Sequence, residues 1–309
     1  MQRAPLSVYL KLVCVALFWG GTFIAGRIVS QEIPHMIAAA GRFIVACIFL
    51  LLLAWKIEGG LPKLSRQQWF ATFGLGTTGI FLYNICFLAA LERMPAGRSA
   101  LFVSLSPIVT ALSMALLFKE RLGAMKWLGI AIAFIGATIV ISRGDLVHVV
   151  QDVSSSVGAG ELFMLGAVCS WTAYTILGKQ ALKGLSPIAA TTYASLWGLL
   201  LLCLGAIHQL PLLDINKLSW QVFSAITFLG IFGTVIGFVW YYEGVKAIGP
   251  ARTAVFNNLV PVFGVSLSTL ILKEPVLISM MVGGVLVIYG VSLTNRVNKD
   301  TAEASGSTE

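Results

Sequence analysis

The sequence predicts an all-α integral membrane protein of ten transmembrane helices, arranged as two inverted five-helix repeats. Three observations carry that prediction. Hydrophobic residues make up 58% of the 309 residues and charged residues only 11%, with a mean hydropathy of +0.90, whereas soluble domains hold about 25% charged residues. The apolar residues gather into runs of the length that crosses a bilayer, about 20 residues each. The second half of the chain repeats the first, and each half holds an odd number of runs.

The runs fall in order at 8–29, 35–55, 68–91, 97–118, 124–142, 161–181, 187–208, 219–243, 252–272 and 276–294. The first is too long for a signal peptide and has no small-residue cleavage site, so it reads as a retained span. Pro34 precedes the second run, Pro62 the third and Pro95 the fourth. Pro187 opens the seventh, Pro211 follows it, and Pro250 stands between the eighth and ninth; proline marks places where helices begin or end. The organisation is a first repeat at 1–145, a connecting loop at 146–157, a second repeat at 158–296 and a polar tail at 297–309 that reads as disordered.

The net charge of +8 does not point to nucleic acid, because the basic residues form no patch. They follow the loops instead. With the N-terminus inside, 14 of the 21 Lys and Arg fall at inner loops or helix ends, 6 at outer ones, and Arg42 within a span. This bias places both termini in the cytoplasm. The five cysteines, Cys14, Cys47, Cys86, Cys169 and Cys203, lie inside apolar runs and have neither metal-ligand nor disulfide-frame spacing. No metal, cofactor or catalytic constellation is expected. A membrane enzyme would need converging His, Asp, Glu or metal ligands, and a channel a polar lining.

A shift of 154 residues lays RSALFVSLSPIVTALSMALLFKE (98–120) on RTAVFNNLVPVFGVSLSTLILKE (252–274) without a gap. The shared positions include Arg98 with Arg252, Pro107 with Pro261, and Lys119-Glu120 with Lys273-Glu274. The same shift pairs Gly76 with Gly230, Gly79 with Gly233, Gly129 with Gly283 and Gly136 with Gly290. A shift of 152 pairs Trp19 with Trp171 and Gly26 with Gly178. Five spans per repeat is odd, so the second repeat enters the membrane from the opposite side. Inverted repeats of this kind build secondary transporters, with the substrate site near the midplane between the repeats.

The repeat ends, PAGRSALFVSLSPIVTALSMALLFKERL and GPARTAVFNNLVPVFGVSLSTLILKEP, each followed by a paired-glycine span, resemble the EamA repeat of the drug/metabolite transporter superfamily. The openings ALFWGGTFIAGR and AVCSWTAYTILGK resemble its first helix, and PHMIAAAGRFIVA its second, with Arg42 at the arginine position. The resemblance spans about residues 10–294. It implies a ten-helix basket around a central cavity and the movement of small metabolites, often amino acids, frequently outward in bacteria. The halves differ: Ser195 lies near the position matching Arg42, and Asn257-Asn258 replaces Val103-Ser104. The implied pocket is therefore asymmetric.

Arg42 is the most informative residue. It lies eight residues past Pro34, about 12 Å deep at 1.5 Å per residue, and intramembrane charges usually face a cavity or a partner. It reads either as a contact for an anionic substrate or as a structural arginine bonded to carbonyls. Trp19 and Trp171 sit mid-span rather than at the interfaces where tryptophan gathers. They read as cavity-lining residues or as helix packing. Asn84, Tyr174, Asn257 and Asn258 are further polar candidates for the cavity. Pro107 and Pro261 sit mid-span and predict kinks, with a hinge as the functional reading. Gly129, Gly136, Gly283 and Gly290 predict a close helix contact, within the fold or in a homodimer. Arg98 and Arg252 read as interfacial arginines, Glu120 and Glu274 as helix-end acids, and Glu161 as a helix opener. Taken together the sequence points to a bilayer-embedded carrier of the cytoplasmic, or inner, membrane. Its substrate is a small molecule, an amino acid or related solute moved outward by alternating access. The alternative is a broad-specificity efflux carrier for drugs or nucleoside-like solutes.

Overall fold

The computed structural model describes residues 5–118, 123–141, 158–181, 184–214, 218–248, 253 and 256–305. All its regular elements are helical. Helix α1 (Leu6–Glu32) ends at Ile33, and Pro34 caps α2 (His35–Glu58). Gly59 stops α2 in the left-handed region, φ 73°, a conformation that costs glycine little. Helix α3 (Arg66–Arg93) opens on a capping box between Ser65 and Gln68 and widens to a π-helix over Gly76–Leu82. Then come α4 (Ala96–Val103), α5 (Ser106–Phe118) and α6 (Ala124–Ile141). The second half follows with α7 (Ala159–Ala181) and α8 (Pro187–Ala206), which tightens to a 3-10 turn over Ile207–Leu212. Helix α9 joins Trp220–Gly230, a π-helical Ile231–Ile236 and Gly237–Ile248. A 3-10 turn, Phe256–Leu259, leads into α10 (Val260–Leu272), and α11 (Ile278–Ser305) is the last described element.

Six helices are long and apolar enough to cross a membrane: α1, α2, α3, α7, α8 with its 3-10 extension, and α9. Three apolar stretches are shorter: Ala124–Val140, Phe256–Leu272 and Ile278–Leu293. Large apolar side chains stand exposed on the outer surface, Leu116 at 81%, Leu270 at 76% and Ile278 at 80%, a surface suited to hydrocarbon rather than water. The chain is a multi-pass membrane protein.

Two expectations need correction. The predicted fourth span is not one kinked helix: it breaks after Val103 and restarts at Ser106. A proline has no backbone N–H to donate one turn back and does not continue a helix through its position, so the helix opens there. Pro107 and Pro261 each occupy the second residue of the helix that follows, where a missing N–H is harmless. The tail, read as disordered, continues α11 to Ser305, because Lys, Ala and Glu favour helix and no proline or glycine interrupts before Gly306. The loop 146–157, Lys119, Glu120 and Arg252 lie outside the described residues.

The contacts between helices come in reciprocal sets. A methyl placed on Gly76 would lie 2.7 Å from the Ala194 carbonyl oxygen and 2.6 Å from Trp197 Cβ; one on Gly230 would lie 3.0 Å from the Arg42 carbonyl oxygen and 2.8 Å from Val45 Cβ. Gly79 lies under the Tyr174 ring, and its counterpart Gly233 against the Thr22 methyl. Gly20 abuts Gly264, and their counterparts Thr172 and Thr110 bring their hydroxyls within 3.3 Å. Finally, α6 and α11 cross antiparallel: methyls on Gly136 and Gly290 would lie 2.6 Å from the Gly283 oxygen and 2.5 Å from the Gly129 oxygen. The four paired glycines thus face one another inside the fold, where absent side chains let the backbones approach.

Candidate functional site

Helices α1, α2, α3 and α9 meet around the Arg42 side chain, which is 9% exposed. Its Nη1 donates to Asn84 Oδ1 at 3.0 Å, and its Nε and Nη2 both donate to Thr234 Oγ1 at 3.2 Å. No carboxylate among the described residues pairs with it. Both partners are tied into π-helical turns. Asn84 Nδ2 donates to the Ile80 carbonyl at 2.7 Å, and Thr234 Oγ1 donates to the Leu229 carbonyl, five residues back, at 3.0 Å. A π turn carries one extra residue and loosens the usual ladder, and such turns recur at functional sites. Here two of them, at matching places in the two halves, present the groups that hold one arginine. Two of its five N–H groups find no acceptor among the described residues.

Aromatic rings flank this cluster on both sides. Trp19 Nε1 donates to the carbonyl of Gly233, next to Thr234, at 3.1 Å. Gly237 leaves the room for that indole, since a methyl there would lie 2.6 Å from Nε1. The Trp19 ring lies 5.4 Å from Tyr241, which hydrogen-bonds the Asn257 side chain. On the other side Trp171 lies between Tyr83 at 5.4 Å and Tyr174 at 5.2 Å, and Tyr83 is the chain neighbour of Asn84. A path of contacts therefore runs from Trp19 through Gly233, Thr234, Arg42, Asn84 and Tyr83 to Trp171.

Residues 6–142 and 158–296 each match the EamA-like transporter family. The chain belongs to that family. This EamA-like transporter is 30% identical to the uncharacterized transporter YyaM of Bacillus subtilis, over 93% of its own length and 92% of that protein's. It is 26% identical to the uncharacterized inner membrane transporter YedA of Escherichia coli, over 86% and 83% of the two chains. A solved crystal structure superposes with a TM-score of 0.66 at 17% identity, covering 94% of this chain and 98% of that one, which speaks to the fold alone. Family and relatives alike are transporters.

In this EamA-like transporter Trp19, Arg42, Asn84, Trp171 and Tyr174 lie along one path. Asn257 joins its Trp19 end through Tyr241. Asn258 turns away, its Nδ2 donating to Ser292 Oγ on α11 at 3.1 Å. Sequence reasoning missed Thr234, Thr22 and Tyr83. A lone threonine in an apolar run carries no signal by itself, but Thr234 follows Gly233, half of a repeat-matched glycine pair, and that was the available clue. The residue standing where Arg42 would be in the second half is Ala194 rather than Ser195: the Gly76 and Gly230 contacts fix the equivalence.

Proposed function

We propose that this EamA-like transporter moves small carboxylated metabolites, amino acids foremost, outward across the cytoplasmic membrane by alternating access. In this reading ten spans form two inverted five-span repeats, both termini lie in the cytoplasm, and the Arg42 cluster is the substrate site. One observation carries it. The counterparts of Arg42, Asn84 and Thr234 in the other half are Ala194, Phe238 and Ile80, all of them apolar. The architecture therefore does not require a charge at this place. A buried cation is expensive in a bilayer, and neutral partners offset only part of that cost. A carboxylate taking the two unengaged N–H groups completes the set in bidentate geometry, while the neighbouring rings suit an apolar or aromatic body.

The inverted arrangement is supported by the reciprocal contacts: each set maps onto its partner when the halves are exchanged, as a two-fold relation requires. The helix break before Pro107 and the 3-10 turn before Pro261 stand at matching places and suit joints for rocking. Counterflow of radiolabelled amino acids into proteoliposomes tests the reading. Saturable exchange that Arg42→Ala abolishes supports it. Exchange of lipophilic cations or nucleosides but of no amino acid overturns it in favour of broad efflux.

A further inference from the structure

We infer that the tip of the α3–α4 hairpin is a latch that holds one end of the transporter shut, with the Arg98–Glu161 ion pair as its bolt. This rests on the alternating-access reading and is independent of the substrate.

The tip, around Met94 and Pro95, is gripped from four sides. From α1 the Arg27 guanidinium donates to the Leu91 carbonyl and, at 3.2 Å, to that of Met94, while Gln31 donates to the Glu92 carbonyl at 3.0 Å. From α2 the His35 Nε2 lies 3.3 Å from the Glu92 carboxylate. From the end of α10 the Glu274 carboxylate accepts from the backbone N–H groups of Ala96 and Gly97 at 3.0 and 3.2 Å, at the N-terminus of α4, where an anion is favoured. From α7 the Glu161 carboxylate meets Arg98 Nη1 at 2.8 Å and accepts from the Gly158 N–H at 3.0 Å. Glycines make the approach close: a methyl on Gly160 would lie 3.2 Å from Arg93 Cβ, and one on Gly97 2.5 Å from Ser268 Oγ.

Arg98 is 4% and Glu161 6% exposed, and Glu161 is the sole buried carboxylate among the described residues. A buried pair of this kind is no better for stability than apolar packing, but losing one partner leaves the other's charge stranded. The repeat again supplies a control. The counterpart of Glu161 is Tyr9, which lies 6.2 Å from the Phe256 ring, so that position carries no acid in the other half. That other end carries Lys11–Glu243 between α1 and α9, at 2.5 Å with side chains 38% and 46% exposed. Such water-screened pairs contribute little. Among the described residues the buried pair belongs to the hairpin end and the screened pair to the other, and the hairpin end is the one held closed. By the distribution of basic residues it is the outer end.

Ser99, beside Arg98, is fully buried and serves as the reporter. Ser99→Cys is placed in a chain whose native cysteines (Cys14, Cys47, Cys86, Cys169 and Cys203) are serine. A membrane-impermeant maleimide is then applied to intact cells and to inverted vesicles, with no substrate present. Adding Glu161→Gln should speed labelling from outside by about tenfold or more, as the closed population falls. The charge swap Arg98→Glu with Glu161→Arg should return the rate toward that of the parent. Glu161→Asp, a milder change that keeps the charge, should give an intermediate rate and serves if the Gln variant fails to fold. Unchanged labelling from both faces in Glu161→Gln, or in Glu161→Asp if that replaces it, overturns the latch. Acceleration seen from the cytoplasmic face alone keeps the latch and overturns the assigned orientation.

Discussion

Arg42 and Thr234 stand 192 residues apart in the chain, yet the threonine hydroxyl accepts two of the arginine's hydrogen bonds at 3.2 Å. This contact crosses from one half of the protein to the other. At the related junction Ala194 and Ile80 take the two places, and Ile80 packs against Gly198. The fold thus contains its own apolar version of the site.

That version can be installed. The double substitution Arg42→Ala with Thr234→Ile should fold and be more stable than Thr234→Ile alone, although it takes the arginine from the buried Asn84 Oδ1, because removing both members of a buried polar pair costs less than stranding a charge. Exchange of amino acids should vanish. Thr234→Ile alone should be the worse protein, since it leaves the guanidinium with Asn84 as its one acceptor among the described residues. Thermal unfolding in detergent, followed by size exclusion, separates these outcomes.

Arg42→Lys keeps the charge but loses the planar fork that bonds a carboxylate through two parallel N–H groups. Affinity for a transported amino acid should fall by about 10- to 100-fold, the equivalent of one charged hydrogen bond at about 1.5–3 kcal/mol. Maximal exchange should survive. Saturation curves for counterflow read the two quantities apart. Equal losses of affinity in Arg42→Lys and Arg42→Ala would show that the geometry of the fork is irrelevant.

Gly136→Ala and Gly290→Ala should each destabilise the protein by about 1–3 kcal/mol, the usual range for overpacking. Their new methyls would meet backbone atoms of the facing helix at 2.5–2.6 Å, and backbone cannot swing aside as a side chain can. Gly178→Ala, in α7, meets nothing within 4 Å and should instead gain about 0.5–1 kcal/mol from helix propensity. Opposite signs for two substitutions of the same type, measured by thermal unfolding, are the result to look for.

Much of this architecture is legible in the sequence because the bilayer imposes a simple code. Length and hydropathy reveal spans, and a fixed shift reveals the repeat. Arg42 is visible because a charge in an apolar run is rare. Thr234 is not, because its role depends on a π turn, and no local pattern separates Ile231–Ile236 from ordinary helix. The split at Val103 was concealed for a related reason: Pro107 announces a disturbance, but a kink and a restart share one composition. The Arg98–Glu161 pair was read as two separate helix-end charges. Residues 63 apart in the chain meet only once α4 and α7 are packed together.

The matched tryptophans are not equivalent, and this gives a final prediction. Trp19 Nε1 holds the Gly233 carbonyl at 3.1 Å and so pins the π turn that presents Thr234; Trp171 is placed by ring contacts with Tyr83 and Tyr174. Trp19→Phe therefore removes a hydrogen bond as well as ring area and frees a carbonyl that has little else to bond in a loosened helix. It should lower stability by about 1 kcal/mol and reduce exchange by disturbing the acceptor of Arg42. Trp171→Phe keeps an aromatic ring between its neighbours, so its stability should stay within about 0.5 kcal/mol of the parent. Its effect should appear in the ranking of substrates, with bulky apolar side chains losing most. Thermal unfolding and competition counterflow on the two variants test this directly. Equal loss of stability in both would mean that the Gly233 hydrogen bond does not support the site.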